Sequence, residues 1–369
     1  MSLGGGVLVA EEKYDVVIVG AGPAGSTAAE HAALAGASVL LLEKRPIIGV
    51  PVRCGEFLPH VDEVKDIFPD AKDIESLFDL PSSLNLLNTT EIRIYSPRMC
   101  ASDIPFQGFT TDRAAFDGHL AERARKAGAT VLVGTKAIGL EGTTVVTDKG
   151  RYRSRVVVGA DGPLSMVAKS VGFERSWDLC PAQSALDPRD FEPVPEMYFG
   201  AVSPGGYAWV IPKKHGANVG LGVSRRYAKK SLKGYYDDFV KLRKLVPGPP
   251  NGKMVPMSGP IYQTVKGNVL VVGDAAGQVM PVNGGGIPIA LICGRIAGVS
   301  AANAANGKVS LAEYETEWRR QVGGPLRTAV RTKRLAMMTF GSQWRLEWAM
   351  RLMGKRRMGK AIRCQSIFP

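Results

Sequence analysis

Short apolar runs that end in glycine lie towards both ends of the chain. Residues 13–20 (KYDVVIVG) predict a buried parallel strand, because such strands are apolar on both faces. A glycine-rich turn and an alanine-rich helix follow and stop near Gly36, and residues 37–43 (ASVLLLE) predict a second buried strand. Strand, turn, helix and strand within about 30 residues indicate one right-handed βαβ unit.

A helical pattern and a hairpin pattern follow further along the chain. Residues 111–127 predict an amphipathic helix with Asp112 near its start, and Gly128 closes it. Residues 143–162 predict a hairpin that turns at 148–150 and continues into a buried strand.

The second half of the chain begins with strands and finishes with helices. Residues 205–223 predict a hairpin with its turn near His215–Asn218, and residues 267–277 predict an apolar strand that runs into a glycine turn. From Leu311 onward the pattern is helical and increasingly basic. The elements are therefore α/β, then a β-rich insert, then α/β again, then helices.

Composition places the chain among ordinary globular proteins. It has 369 residues, 45% of them hydrophobic and 22% charged, which suggests about two domains. We expect no signal peptide at the N-terminus and no membrane-spanning stretch, since no run of about 18 uncharged apolar residues occurs. The cysteines are scattered without a C-x-x-C pair, which favours a reduced, cytoplasmic setting: Cys54, Cys100, Cys180, Cys293 and Cys364.

The net charge of +13 is concentrated in one segment. Residues 318–369 contain 13 Lys and Arg residues and one acidic residue, Glu347, so this segment alone carries +12. The rest of the chain is close to neutral. This distribution argues against nucleic-acid binding by the whole protein and directs attention to what the C-terminal segment contacts.

The first chemical motif is a G-x-G-x-x-G sequence between the first strand and the first helix. Its glycines permit a tight turn, close approach of backbone amides to a pyrophosphate, and close packing of helix on strand. Glu43 ends the second strand, where its carboxylate suits a ribose and would repel a 2′-phosphate. The alternative is a glycine turn with a structural glutamate. The motif consists of Gly20, Ala21, Gly22, Pro23, Ala24 and Gly25.

The second motif begins within residues 267–277, where the predicted apolar strand runs into a glycine turn. Gly273 and Asp274 come directly after the strand, Pro281 follows seven residues later, and Gly284–Gly286 begin a helix at Ile287. This pattern resembles the G-D motif of flavoproteins of the p-hydroxybenzoate hydroxylase type. The resemblance implies that Asp274 binds the ribityl chain of FAD and that the glycines approach the flavin ring and the pyrophosphate. The alternative is an ordinary glycine-rich turn.

A third motif lies between these two. Asp161 and Gly162 resemble the D-G motif of the same superfamily, with Ser165 present but Ala168 where that motif has arginine. The missing arginine puts nicotinamide binding in doubt. The resemblance also implies that Arg113, at the start of the helix at 111–127, lies near FAD.

Two segments narrow the resemblance to one family. Residues 51–56 (PVRCGE) and residues 204–212 (PGGYAWVIP) resemble the geranylgeranyl reductase family, whose archaeal members saturate isoprenoid chains of membrane lipids. Such enzymes transfer a hydride from reduced FAD to isolated C=C bonds. The resemblance covers roughly residues 13–340 and implies further FAD contacts at Lys44, Arg53, Cys54 and Gly55.

The residues in these two segments suit chemistry on an unpolarised alkene, which needs close positioning in a dry slot. Tyr207 and Trp209 alternate on one strand face and offer aromatic walls; alternatively they are ordinary core aromatics. Cys54 is the candidate proton donor or slot residue; alternatively it is a small buried hydrophobe. Arg53 and Glu56 could equally form a local ion pair. We expect no metal site.

The resemblance implies an α/β fold, α+β overall, with a Rossmann-like FAD-binding domain, an inserted β-rich substrate domain and a C-terminal helical segment. The FAD-binding domain is expected at 10–80, 105–165 and 262–310. The substrate domain is expected at 81–104 and 166–261, and the helical basic segment at 311–369.

The function implied is FAD-dependent saturation of geranylgeranyl chains, with archaeal-type glycerophospholipids as substrates. The electron donor stays open among reduced ferredoxin, a deazaflavin and NAD(P)H. Two alternatives stay open as well. One is a flavin-dependent monooxygenase or halogenase on the same fold, and the other is a flavin electron carrier that serves membrane partners.

The basic C-terminal segment has two interpretations. Trp344, Trp348 and Leu352 are spaced by four and share a helix face, beside Arg345, Arg351, Lys355, Arg356, Arg357 and Lys360. An apolar stripe beside basic residues is typical of a helix that lies on an anionic membrane, so we expect peripheral membrane association of a cytoplasmic protein. The alternative is that the tryptophans pack on the body of the protein and the basic face is merely solvated.

Overall fold

The computed structural model describes residues 12–368. Residues 1–11 and Pro369 lie outside the described residues. The prediction about a signal peptide falls on residues 1–11, and so do the first two residues of the FAD-binding domain predicted to begin at residue 10. The strands are β1 (Glu12–Val19), β2 (Val39–Leu42), β3 (Phe57–Pro59), β4 (Leu87–Tyr95), β5 (Ala101–Thr110), β6 (Thr130–Leu132), β7 (Ala137–Glu141), β8 (Thr144–Thr147), β9 (Arg151–Gly159), β10 (Leu179–Asp187), β11 (Glu196–Tyr198), β12 (Tyr207–Pro212), β13 (Ala217–Gly222), β14 (Asn251–Pro256), β15 (Val265–Lys266) and β16 (Val269–Val271). The helices are α1 (Pro23–Leu34), α2 (Val61–Ile67), α3 (Ile74–Leu77), α4 (Arg113–Lys126), α5 (Met166–Val171), α6 (Leu232–Leu242), α7 (Ile287–Ala305), α8 (Glu313–Met337) and α9 (Gln343–Ile362).

The first sheet has a parallel centre in the order β16-β9-β1-β2-β6, with β15 antiparallel at the β16 edge. The antiparallel strands β7 and β8 extend from the first half of β9. The last residues of β1 and all residues of β2 are buried, as their apolar runs predict. The predicted βαβ unit of β1, α1 and β2 is confirmed, and so is the hairpin that turns at 148–150.

Helices α1 and α7 pack closely beside this sheet because small residues face each other. A Cβ atom on Gly294 would lie 2.6 Å from the Ala24 carbonyl oxygen, and one on Gly298 would lie 2.3 Å from that of Ala28. Helix α7 is long and apolar enough to cross a membrane by length and composition alone, although it contains Arg295. Most of it is buried inside the protein, as expected for the core helix of a packed sheet.

The second sheet has the order β14-β10-β13-β12-β11-β4-β5-β3 and is antiparallel except between β11 and β4. Two of its strands differ from the predicted domain division. β5 crosses the predicted boundary at 104/105, because it pairs with β4 along almost its whole length. β3 lies within 10–80 but joins the second sheet, because Phe57 pairs with Thr110 of β5.

The predicted hairpin at 205–223 forms, but its turn is earlier than expected. The turn comprises Lys213–Gly216, and His215 is exposed as expected. Asn218 was expected in the turn, yet it lies within β13 opposite Ile211 and is buried. The shift matters because the Asn218 side chain contributes to the candidate site.

The chain after Leu311 is helical, as expected. Helix α9 is broken at Gly354, whose φ of 61° lies in the left-handed region. Its first half contacts the turn between β4 and β5, since the buried Glu347 carboxylate accepts from the Arg98 backbone amide (3.1 Å). Beyond its end, Arg363 forms a two-bond ion pair with Glu63 of α2 (2.7 and 2.6 Å). The C-terminal segment is therefore fixed to the body at both ends of α9.

Candidate functional site

The glycine turn after β1 leaves an open space where a cofactor phosphate is expected. A Cβ atom on Gly20 would lie 2.4 Å from the Ala160 carbonyl oxygen, and one on Gly25 would lie 1.8 Å from that of Gly20. Only glycine fits at these two contacts. A Cβ atom on Gly22, in contrast, would meet nothing within 4 Å, and Gly22 lines a cavity of about 270 Å³, called here the nucleotide cavity.

The carboxylate of Glu43 holds the same turn. Its Oε2 accepts from the Ala21 backbone amide (3.0 Å), and its Oε1 accepts from that of Arg45 (2.9 Å). Each oxygen retains a lone pair, so the carboxylate can still bind a ribose hydroxyl. Lys44 is exposed beside it and does not line the nucleotide cavity.

The two glycine motifs meet although about 250 residues separate them in the chain. A Cβ atom on Gly273 would lie 2.9 Å from the Ala24 side chain. Residues from both motifs line the nucleotide cavity: Gly22, Pro23, Ala24, Asp274, Gly284, Gly285, Gly286 and Ile287. Pro281 lies elsewhere, on the wall of the cavity described below as the apolar channel. The predicted FAD-binding motifs thus form one site at the N-terminus of α7, which favours a negatively charged ligand.

Asp161 supports this site indirectly. Its carboxylate accepts from the Ser165 hydroxyl (2.5 Å) and from the backbone amides of Met166 (2.6 Å) and Val167 (3.2 Å), so it caps the start of α5. Burial raises the pKa of Asp161, although these hydrogen bonds lower it. The neighbouring Gly162 lines the nucleotide cavity, whereas Asp161 itself does not. Asp161 therefore shapes the turn that brings Gly162 to the cavity.

Arg113 and Cys54 meet at the wall of the nucleotide cavity. The Arg113 guanidinium donates two bonds to Asp117 (3.0 and 2.8 Å) and also interacts with the Cys54 side chain. Burial lowers the pKa of Arg113, but Asp117 and Cys54 outweigh this effect and leave it raised. Arg113 is therefore a permanent positive charge next to Cys54 Sγ.

Cys54 and Gly55 lie between the nucleotide cavity and a smaller cavity of about 130 Å³, called here the side cavity. The exposed Arg53 lines the side cavity only. Within residues 12–368, Glu56 pairs with Lys213 (2.9 Å) and not with Arg53, so the alternative of a local Arg53–Glu56 pair is wrong.

Tyr207 stands where three cavities meet. It lines the nucleotide cavity, the side cavity and a third, largely apolar cavity of about 350 Å³, called here the apolar channel. Its hydroxyl donates to the backbone carbonyl of Asn283, next to the glycines that begin α7. Burial is the main cause that raises the pKa of Tyr207, with a smaller contribution from Cys54, so the phenol stays neutral.

Trp209 lies on the same strand face as Tyr207, with their ring centres 5.7 Å apart, as the alternation predicts. It lines the side cavity but not the apolar channel. Its Nε1 donates to the Asn218 side-chain oxygen (2.9 Å), and its ring covers Gly220, where a Cβ atom would come within 2.3 Å. Trp209 is therefore both a packed sheet residue and a wall of the side cavity.

The apolar channel extends from Tyr207 to the surface between α8 and α9. Gly205, Gly206 and Met257 line its inner end together with Tyr207, and they also line the side cavity. Leu335, Leu352 and Phe368 line the channel and are exposed, so they mark its outer end and are called here the channel rim. A mostly apolar cavity that shares the wall residues Tyr207 and Ile362 with the nucleotide cavity suits a long hydrocarbon ligand.

Glu56 joins the parts of the site, and its role was not predicted from the sequence. Its backbone amide donates to Cys54 Sγ (3.2 Å), and its carboxylate accepts from the Arg113 backbone amide (3.2 Å) and from Asn218 Nδ2 (3.0 Å), besides pairing with Lys213. Asn218 Nδ2 also donates to the Cys54 carbonyl oxygen (2.8 Å). The φ of Glu56 is 63°, an unusual backbone conformation for a residue other than glycine. The PVRCGE segment marked Glu56, but no sequence pattern marked Lys213, Asn218 or Asn283.

Family models match two parts of the chain. A model described as "Geranylgeranyl reductase catalytic domain" matches residues 183–259, which include β12 and β13. A model described as "FAD dependent oxidoreductase" matches residues 15–50, which include the first glycine motif.

Curated relatives match most of the chain. A digeranylgeranylglycerophospholipid reductase from Methanococcus aeolicus is 34% identical over 338 residues, covering 84% of this chain and 83% of the relative. A protein with the same name from Methanocaldococcus jannaschii is 37% identical over 339 residues, covering 83% of this chain and 82% of the relative. Digeranylgeranylglycerophospholipid reductase 2 from Methanothermobacter thermautotrophicus is 37% identical over 350 residues, covering 88% of each chain.

Solved structures are similar over the same extent. A geranylgeranyl bacteriochlorophyll reductase-like protein from Thermoplasma acidophilum is 29% identical with a TM-score of 0.80, covering 92% of this chain and 91% of that one. A flavin-dependent brominase is 18% identical with a TM-score of 0.68, covering 88% of this chain and 87% of that one, and this likeness shows the fold alone. The predicted fold class is confirmed, including the Rossmann-like FAD-binding part and the C-terminal helical segment.

Proposed function

The chain belongs to the geranylgeranyl reductase family of FAD-dependent oxidoreductases, and on that premise we propose that it saturates C=C bonds of geranylgeranyl chains in archaeal-type membrane glycerophospholipids. The observation that carries the substrate class is the apolar channel, which leads from the surface to Tyr207 beside the nucleotide cavity. A prenyl chain is long, flexible and apolar, so it fits such a channel and gains free energy from burial there.

The residues that line the nucleotide cavity, together with Glu43 on the adjoining turn, fit FAD, the cofactor of the family. The open space at Gly22 leaves room for the pyrophosphate, Glu43 has acceptor capacity for a ribose, and Asp274 lies at the N-terminus of α7 with Gly284–Gly286. Bound FAD, once reduced, supplies the hydride that adds to one carbon of the double bond.

The chain's own residues supply positioning and the proton. Tyr207 and Met257 hold an alkene at the inner end of the channel, whose lining is mostly apolar. Cys54 Sγ, at the junction of the nucleotide and side cavities, holds the proton that goes to the other alkene carbon. The Arg113 guanidinium interacts with the same side chain, so a positive charge lies beside the sulfur when the proton leaves, and solvent then restores the proton.

Two rival functions on this fold make different predictions. A flavin-dependent monooxygenase or halogenase consumes oxygen and yields a hydroxylated or halogenated product, and the likeness to a brominase is one of fold alone. A flavin electron carrier passes electrons to a membrane partner and leaves prenyl lipids unchanged. Neither rival requires a long apolar channel that ends beside the nucleotide cavity.

The test is an anaerobic incubation of the purified protein with dithionite and a digeranylgeranyl glycerophospholipid, followed by mass spectrometry. We expect the lipid to gain one H₂ for each double bond that is reduced. An unchanged lipid, with protein that carries FAD and bleaches on addition of dithionite, would remove the reductase assignment and leave the electron carrier.

The electron donor and the location belong to the same proposal. A reduced ferredoxin, a deazaflavin or NAD(P)H would deliver electrons in the cell, and side-by-side anaerobic assays with each donor would choose among them. The five cysteines are all unpaired, which agrees with a reduced, cytoplasmic setting. Because the substrate is a membrane lipid, we also propose peripheral association with an anionic membrane.

A further inference from the structure

Helix α9 presents a stripe of large apolar side chains to solvent. Trp344, Trp348 and Leu352, called here the Trp stripe, are 62%, 49% and 72% exposed. The two indole rings contact each other edge-on, with centres 6.1 Å apart. Exposed patches of this kind mark surfaces that bind other molecules. The alternative that the tryptophans pack on the body of the protein is therefore wrong.

The opposite face of α9 is fixed to the body, so the Trp stripe cannot turn inward. Leu346 and Met358 are buried, and both line the apolar channel. Glu347, which is also buried, accepts from the Arg98 backbone amide and pairs with Arg351 (2.7 Å). The outward orientation of the tryptophans is thus a consequence of how α9 packs.

The basic side chains beside the stripe are free to bind anions. Within the part of the chain that the structure describes, Arg345, Lys355, Arg356 and Lys360 form no ion pair with a carboxylate. Glu347 is the one acidic residue after Trp318, and Arg351 already pairs with it. Apolar side chains flanked by unpaired cations match the headgroup layer of an anionic bilayer, where tryptophan is favoured.

The stripe is continuous with the entrance to the apolar channel. Leu352 belongs both to the Trp stripe and to the channel rim, where Leu335 and Phe368 lie near it. We infer that the Trp stripe and the channel rim dock together on an anionic lipid bilayer, so that the mouth of the channel faces the membrane. A prenyl chain then passes from the bilayer into the channel without crossing water. This inference rests on the proposed function for the identity of the lipid that enters.

The test uses point variants, because removing α9 would also remove walls of the channel. The first variant is Trp344→Ser with Trp348→Ser, and the second is Lys355→Gln with Arg356→Gln. Matched controls are Tyr262→Ser, an exposed aromatic residue outside α9, and Lys126→Gln with Lys241→Gln, two exposed lysines on α4 and α6. FAD content and thermal melting confirm that each variant is folded.

Binding is measured by co-sedimentation with vesicles that contain phosphatidylglycerol, at several salt concentrations. We expect the wild type and both controls to bind at low salt and to dissociate as salt rises. The charge variant should lose about fivefold in affinity for each cation removed, and the tryptophan variant at least about tenfold. Vesicles of neutral lipid alone should bind the wild type weakly.

Activity assays distinguish a variant that docks poorly on the membrane from one whose catalytic site is damaged. Prenyl lipid is offered either within vesicles or dispersed in detergent, and we expect the variants to lose activity only on vesicles. Equal losses on both substrates, or unchanged vesicle binding in the tryptophan variant, would overturn the inference. So would a wild-type dimer that the tryptophan variant converts to a monomer, because the stripe would then bind a second copy. If no lipid is reduced in any form, the proposed function fails while the vesicle binding still tests docking.

Discussion

Replacing Glu56 with Gln removes one charge from an ion pair that is almost inaccessible to water. The Glu56 and Lys213 side chains are 5% and 13% exposed and 2.9 Å apart. The Gln side chain keeps the shape and one acceptor oxygen, so the bond from the Arg113 backbone amide can persist. Its amide nitrogen, however, then faces Lys213 and Asn218, which are both donors.

The expected loss of unfolding free energy follows from the positive charge of Lys213, which the substitution leaves without its partner. Removing one member of a buried ion pair strands its partner in a poorly solvated place, which costs about 3–5 kcal/mol. A typical free energy of unfolding is about 5–15 kcal/mol, so the variant should be visibly less stable. Asp237→Asn serves as the matched control, because Asp237 pairs with Lys233 on the exposed surface of α6 (2.6 Å) and such pairs are worth at most about 1 kcal/mol.

The assay is urea unfolding of the FAD-loaded protein, followed by circular dichroism and flavin fluorescence. The double variant Glu56→Gln with Lys213→Met removes both charges, and it should recover much of the lost stability. Two results would refute the reasoning. One is a loss of unfolding free energy below about 1 kcal/mol in Glu56→Gln, and the other is a loss in the double variant that exceeds the sum of the losses in the two single variants. In the folded variant we also expect slower lipid reduction, because Glu56 holds the segment that carries Cys54.

Three further predictions concern single residues of the site. Gly22→Val should purify without FAD yet keep its fold, because a Cβ atom there meets no protein atom within 4 Å and the side chain takes up space in the nucleotide cavity. Absorbance and thermal melting are the measurements, and yellow, fully loaded protein would contradict this prediction. Cys54→Ala should retain FAD, and its rate of alkene reduction should fall about 10²–10⁴-fold, as is usual when one general-acid step is lost. An unchanged rate and product pattern would mean that Cys54 is only a packing residue. Trp209→Ala should lose roughly 3 kcal/mol of stability, since its ring covers Gly220 and its Nε1 donates to Asn218. It should also bind prenyl substrate more weakly, because its ring packs against Tyr207 at the inner end of the apolar channel; normal substrate affinity in the surviving folded protein would leave Trp209 with a structural role only.

Local patterns in the sequence predicted the nucleotide-binding half of the fold. The β1-α1-β2 unit, the capped start of α4 at Asp112 and the glycine turn before α7 all depend on neighbouring residues and on backbone rules. The association of residues 20–25 with 273–286 was predicted through resemblance, and the contact of Gly273 with Ala24 agrees with it.

Features that depend on distant contacts were missed. Nothing near Phe57 reveals that β3 adds to the edge of the second sheet, because its partner is β5. The buried pair of Glu56 with Lys213 joins two segments far apart in the chain, so neither sequence neighbourhood indicates it. Periodicity showed that Trp344 and Trp348 share a face of α9, but only the packing of Leu346 and Glu347 determined which face is covered.

The end of α9 also sets an order in which the site can be completed. Asn283 Nδ2 donates to the Ile362 carbonyl oxygen (3.2 Å), and Ile362 lines both the nucleotide cavity and the apolar channel. The ribosome makes α9 and the wall residues that follow it, Ile367 and Phe368, after every other wall of these cavities. During synthesis, both sheets and the glycine turns can therefore fold while the lipid channel is still open along one side. The channel closes only when α9 and Phe368 dock, so a nascent chain exposes this apolar cavity until then.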